Sequence, residues 1–395
     1  MTLEKFMAFL DRFARHSKVL MITGILSVGL VFLQAWFSLF TIDATRDSNS
    51  YYYAAKAISE SGNPYDLDLL QSIARREGEY TWVGPYVYPP VFAGFWRGMT
   101  WMSADQVHHL LILADAIFFG LAVWLMTRIV RPAKHPHALF FLFLLMQVIN
   151  GPAVTCLRMG QITPMFFLLI LICLHAHVKG KETLSALALA VAILLKISPM
   201  VLLLYFFLFY SRRWRYLIKV CGFMLLLIVA SLPLAPLYTW SDFLEGTLGG
   251  LPLKAPYSVW GWLQLHTLPA TFLENIKPLI YLLICVPLTI LTVVSIKNQE
   301  VGERPLYAFA MLTMLSLLIA PLTWHQHYYV WILPGLYFVS YHWARQHKAR
   351  ACIWAFLVLM VMTRAPEPLL MLRPAGTFIA MLLGLRLRPI RIRFS

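Results

Sequence analysis

Charge is what this sequence has least of. Only 13% of its 395 residues are Asp, Glu, Lys or Arg, about half the share a soluble domain uses to cover itself with a water-compatible surface. Acid is the scarcer sign, with 18 residues against 33 basic ones. Cysteine is sparse too. The five are scattered, odd in number and form no CxxC, which leaves no disulfide framework and no zinc site to build on. There is no low-complexity tract and no convincing internal repeat, which weakens an inverted-repeat transporter. No GxxxxGK[ST], GxSxG or HExxH motif occurs. Disorder, collagen and a disulfide scaffold are therefore excluded.

What is present is apolar. Hydrophobic residues make up 60% of the chain, and 13 Trp, 18 Tyr and 26 Phe suit a membrane bundle with aromatic belts. The net charge of +15 comes in short clusters between apolar runs. No soluble module presents a basic face, so nucleic acid is not an expected partner. The first apolar run is too long for a signal-peptide core and leads into Thr41-Ile42-Asp43 without a small-residue cleavage pattern. The expected fold is all-α and membranous, one integral membrane domain over 1–395. Twelve spans are expected at 19–40, 104–130, 136–149, 162–178, 184–197, 199–211, 215–235, 277–296, 305–320, 328–344, 351–363 and 367–385.

Alternating those spans from a cytoplasmic N-terminus puts 22 of the 33 basic residues inside, as the positive-inside rule requires. Both termini are then cytoplasmic, and the C-terminal RLRPIRIRFS reads as an orientation signal. Two extracytoplasmic segments are too long to be mere connectors, 41–103 and 236–276. The first should hold a helix from Ser48 to Ser61, a turn at Gly62-Asn63-Pro64, a second helix starting near Asp66, and an interfacial or re-entrant run from Val91 to Met102. Ordered loops gathered on one side of a bundle usually form a site.

The residues able to do chemistry sit on that same side. Asp43 and Asp47 follow the first span. A carboxylate held at the lipid–water boundary can act as general base on a hydroxyl, or Asp47 can simply cap the helix that follows it. His325 and His327 in PLTWHQHYYVW are too few to ligate a metal. They either contact a phosphate or stand among belt aromatics. Lys196, just before Ser198-Pro199, is either a functional cation or a snorkelling one. Asp115, deep in a span, is expected to hydrogen-bond within the bundle, or else to serve an ion path. Asp66-Leu67-Asp68 resembles a DxD metal motif but falls at a helix start, where capping is expected. No metal and no cofactor is expected.

Four signatures then occur in order: Asp47, Tyr51-Tyr52, Ala54-Ala55, Gly62 and Asn63-Pro64-Tyr65-Asp66; Tyr88-Pro89-Pro90; Gly160-Gln161 leading to Leu195-Lys196, Pro199 and Arg212-Arg213-Trp214; and Pro321, Trp324 and His327. In this the chain resembles glycosyltransferase family 87, polytopic GT-C enzymes that include polyprenol-phosphate-mannose-dependent mannosyltransferases. Members often carry His-His where this chain has Gln326-His327. The resemblance implies a GT-C-like bundle in a bacterial plasma membrane with its active site outside. It also implies a polyprenyl-phosphate sugar donor and a lipid-linked or glycan acceptor, with membrane lipids around both. Asp47 would be the base. Lys196, His327, His325, Arg158 and Gln161 would receive the phosphate, and Tyr52, Tyr88, Trp260 and Trp324 would stack on sugars. An arabinofuranosyl or other pentosyl transferase, or a non-catalytic flippase for a lipid-linked sugar, are the alternatives.

Overall fold

The computed structural model describes residues 2–38, 46–79, 82–130, 134–248, 279, 281–320, 323–363 and 372–385. Among these residues it is 80% helical, with eighteen helices and no strands. Three helices are long and apolar enough to cross a membrane: α2 (Ser17–Ser38) over Lys18–Phe37, α6 (Ala104–Ile129) and α12 (Arg213–Ser231). They become four if the bent pair α8 (Gly151–Met159) and α9 (Thr163–Val178) is one span. At 1.5 Å per residue, α2 is about 33 Å long, the thickness of a hydrocarbon core. The twelve-span count is not reproduced. Several expected spans are short or composite: α7 (Pro136–Gln147) has 12 residues, and 199–211 divides into a 3-10 turn (Ser198–Leu202) and α11 (Leu203–Phe209). The 328–344 run likewise divides into a 3-10 segment (His325–Trp331) and α16 (Ile332–Ala344).

Local chemistry explains the breaks. Pro136 and Pro164 sit at the first turns of α7 and α9, where a missing N–H costs nothing. The chain turns by 118° between α8 and α9. Gly160 there has φ +61, in the left-handed region that favours glycine. It ends α8 with Gly160 N–H donating to Leu157 O (3.1 Å) and Gln161 N–H to Cys156 O (2.9 Å). α10 (Glu182–Leu195) ends at Lys196, whose backbone is extended, and Pro199 sits in the first turn of the 3-10 helix that follows, where its missing N–H costs nothing.

The centre of the bundle is α15 (Arg304–Ile319), which is buried on nearly every side. A helix apolar all round belongs in a core. Around it pack α9, α14 (Val286–Lys297), α16, α18 (Leu372–Leu385) and both 3-10 stretches, while α17 (Lys348–Met362) packs against α16 and α18. The described residues of the 41–103 segment build a second, smaller core together with Val107, Leu111, Ile162 and Leu195. Within it α3 (Asp47–Ser59), α4 (Leu67–Arg76) and α5 (Pro90–Arg97) bury Tyr51, Tyr53, Tyr86, Tyr88, Phe92 and Trp96 together. The two expected helices and the intervening turn are there, and Asp66 caps α4 through Asp68 N (3.0 Å) and Leu69 N (3.1 Å). The sequence reading missed two helices, α1 (Leu3–Ala14) and, in the second long segment, α13 (Leu237–Leu248).

Helices in lipid come together where side chains are small. Gly335 on α16 is such a point, because a Cβ there would lie 2.8 Å from Val358 Cγ2 on α17. Gly335→Val is expected to destabilise the bundle by about 1–3 kcal/mol, read as a lowered thermal midpoint in detergent. An unchanged midpoint would show that this helix pair is not packed so closely.

Candidate functional site

Four separate pieces of chain meet at one end of the bundle: the first turn of α3, the α8–α9 corner, the end of α10 and the 3-10 segment. Asp47 is the first residue of α3. Arg46 holds the cap position and makes no side-chain cap bond, so capping does not account for the Asp47 carboxyl. That carboxyl is bonded by Gln326 and lies in the field of Lys196. Burial pushes it up to about 7, with the Lys196 charge and the Gln326 bond pulling the other way.

Other contacts fix the turn that carries it. Arg46 pairs with Asp105. Ser48 Oγ is 2.8 Å from His108 Nδ1, and Ser50 Oγ donates to Asp47 O (2.7 Å). Ser48 and His108 both crowd the α8–α9 corner, since a Cβ on Gly160 would lie 3.1 Å from Ser48 Cβ and from His108 Nδ1. Only glycine lets α3, α6 and the corner approach so closely.

Lys196 is the half-buried cation that ends α10, extended at φ −156, ψ 131. The negative end of the helix dipole suits it there. Its Nζ lies 2.8 Å from His327 Nε2 and 5.2 Å above the Phe166 ring. His327 Nδ1 accepts from the Trp324 backbone N–H (3.1 Å). Beside this pair opens a small cleft of about 40 Å³, lined by Lys196, His327, Ser198, Thr313 and Ser316 with Phe166 on its apolar side. The Thr313 hydroxyl is buried with no hydrogen-bond partner among the described residues.

The remaining sequence candidates divide. Tyr88 Oη accepts from Tyr51 Oη (3.1 Å), and both hydroxyls feel the Asp47 charge. Burial holds both phenols above their ordinary range, so they stay protonated. Tyr52 points elsewhere: its hydroxyl donates to Met102 O (2.8 Å), and Lys56 Nζ stands over its ring. Gln161 is buried, its Oε1 accepting from Thr163 Oγ1 (3.2 Å). Arg158 is half-buried in the last turn of α8. Trp324 is half-buried at the head of the 3-10 segment. His325 lies in that segment, and nothing is described of its side chain. Asp43 and Trp260 lie outside the described residues, as does most of 236–276. Asp115 corrects the expectation made for it: it is buried, but neither carboxyl oxygen has a hydrogen-bond partner among the described residues.

The sequence reading missed Tyr51 and Gln326. Tyr51 stands four residues after Asp47, hence on the same helix face, a spacing that was legible. Gln326 was visible only as a departure from the family pattern. Cys156 Sγ, 3.2 Å from Gln326 O, ties the 3-10 segment to α8.

A half-buried acid, an amine and an imidazole thus meet at one end of a helical membrane bundle. The profile of glycosyltransferase family 87 matches residues 86–322, more than half of the chain, and the chain belongs to that family. It is a membrane glycosyltransferase. The matched stretch holds Tyr88, Arg158, Gln161 and Lys196, whereas Asp47 and His327 fall outside it and rest on the geometry. No curated protein matches the chain.

Gly160→Ala tests whether the corner sets the acid. The left-handed backbone alone should lower stability by about 1–2 kcal/mol. The added methyl displaces Ser48, so glycosyl transfer at a temperature where the variant is folded should fall by about tenfold, the scale of a misplaced group. Full activity in the folded variant would separate the corner from Asp47.

Proposed function

We propose that the chain is an inverting glycosyltransferase. It moves a sugar, mannose by the family resemblance, from a polyprenyl monophosphate to a lipid-linked or glycan acceptor on the extracytoplasmic face of a bacterial plasma membrane. The observation that carries the reading is the meeting of Asp47 with Lys196 and His327, three residues from distant parts of the chain. An amine and an imidazole side by side at the edge of a cleft suit contact with a phosphate oxygen. The cleft beside them has a polar rim and an apolar wall, as a phosphate on a lipid requires. The excess of basic residues on the opposite loops supports the sidedness.

In this reaction the acceptor hydroxyl gives its proton to Asp47 as its oxygen bonds to the anomeric carbon. The bond from that carbon to the phosphate oxygen breaks, and the phosphate leaves with the electron pair on the opposite face of the sugar. Lys196 and His327 neutralise the charge that develops there. Phosphate is already a good leaving group, so a single carboxylate suffices, unlike the pair in a glycosidase. Gln326 orients the Asp47 carboxyl, and the protonated Tyr51–Tyr88 pair presents hydroxyls beside it.

A base whose pKa is raised to about 7 is active only when deprotonated. With polyprenyl-phosphate mannose as donor, kcat/KM of the purified enzyme should rise about tenfold per pH unit below 7 and level off above it. Asp47→Asn should lose at least about two orders of magnitude in turnover and with it this pH limb. Near-normal transfer by Asp47→Asn would remove Asp47 from the reaction.

A further inference from the structure

α1 is a 12-residue helix, about 18 Å long and far too short to cross a bilayer. One side of it is docked. Met7, Leu10 and Ala14 are buried, and the first two share a cluster with Leu139 on α7, Trp343 on α16 and Ala351 on α17. Glu4 pairs with Lys134 and with Lys348 (2.6 Å). Asp11 Oδ1 caps α7 by accepting from His137 N (3.0 Å) and Ala138 N (3.3 Å). The helix is therefore pinned to the bundle in one orientation.

Beside the docked face runs a second apolar stripe that the described residues leave largely uncovered, apart from an edge contact of Phe13 with Phe141. Phe6, Phe9 and Phe13 are 36%, 55% and 49% exposed, and at 100° per residue they share one sector. The next sector carries exposed Lys5 and Arg12. Three exposed phenylalanines would not be kept in water by a helix so firmly held. The joint to α2 sets their depth. Only Arg15 and His16 separate the two helices, Lys18 follows, and Met21, Ile22 and Ile25 on α2 are exposed apolar residues at 59%, 52% and 64%. That run of basic then apolar residues marks the boundary between headgroups and acyl chains, and α1 branches off at this level.

We infer that α1 is an interfacial helix lying in the phospholipid leaflet at the N-terminal end of α2. Its Phe6–Phe9–Phe13 stripe sits among the acyl chains, and Lys5 and Arg12 reach the headgroup phosphates. Such helices bind through buried apolar area together with basic contacts to headgroups, and long cationic side chains reach outward from just this position. Because Glu4 and Asp11 tie it to α7 and to the α16–α17 hairpin, the leaflet braces that end of the bundle through α1.

Spin labels test this in the full-length protein. Cys221 and Cys352 are exposed and the other three cysteines are buried, so Cys221→Ser with Cys352→Ser gives a quiet background. Single labels then go in as Phe6→Cys, Phe9→Cys, Phe13→Cys, Lys5→Cys and Arg12→Cys. In phosphatidylcholine–phosphatidylglycerol vesicles, the three stripe positions should show at least about a threefold higher ratio of oxygen to water-soluble nickel-chelate collisions than the two basic positions, as expected for an apolar face in the acyl region. Equal ratios at all five would place α1 in water and overturn the inference. Dipolar broadening between labels at Phe9→Cys would overturn it in favour of a contact between two copies of the chain. All five substitutions are at exposed positions, and a thermal melt matching the background confirms that each variant is folded.

Discussion

An acid and an amine held near one another out of bulk water constrain most of this structure. Charges in such surroundings are costly unless they are matched, and matching Asp47 with Lys196 requires residues far apart in the sequence to be brought together and kept there. The cost is visible in the Asp47 carboxyl, which burial raises to about 7 despite the nearby cation. A raised carboxyl is also what a general base near neutral pH needs. The same burial that makes the pair expensive thus makes it useful.

The architecture around the pair follows from that requirement. The first turn of α3 is tied to α6 by Arg46–Asp105 and Ser48–His108 and rests against a corner that only glycine permits. The extended backbone at Lys196 ends α10, so that Lys196 leaves the helix at its negative end. The 3-10 segment presents Gln326 and His327 together, one to the acid and the other to the amine. Each device fixes a side chain by backbone geometry, and together they hold the amine and imidazole at the edge of a cleft with an apolar wall, with the acid nearby in the field of the amine.

What the sequence revealed depended on the range of the interaction. The spans at α2, α6 and α12 are single runs whose length and hydropathy are local properties, and so are the turn at Gly62-Asn63-Pro64 and the Asp66 cap. Length and hydropathy do not decide the shorter helices, because burial inside a bundle, as at α15, lets an apolar run fall well short of bilayer length. Gly160 could be read as part of a motif but not as a 118° corner, since its necessity comes from Ser48 and His108, more than fifty residues upstream. Tyr52 was chosen over Tyr51 because both are aromatic neighbours in sequence. Only the helix phase relative to Asp47 distinguishes them, and that phase places Tyr51 with the acid. Asp115 was expected to find a hydrogen bond because buried acids usually do, and among the described residues it has none.

The central claim is that Lys196 receives a lipid phosphate beside Asp47. Binding of polyprenyl monophosphate to the purified protein, followed by native mass spectrometry, reads this directly and does not depend on knowing the acceptor. Lys196→Met should weaken binding by at least about tenfold, the scale of one charge-assisted contact in a sheltered site. Asp47→Asn, which removes a negative charge from beside the phosphate, should bind at least as tightly as the unaltered protein. Undiminished binding by a folded Lys196→Met protein would contradict the account.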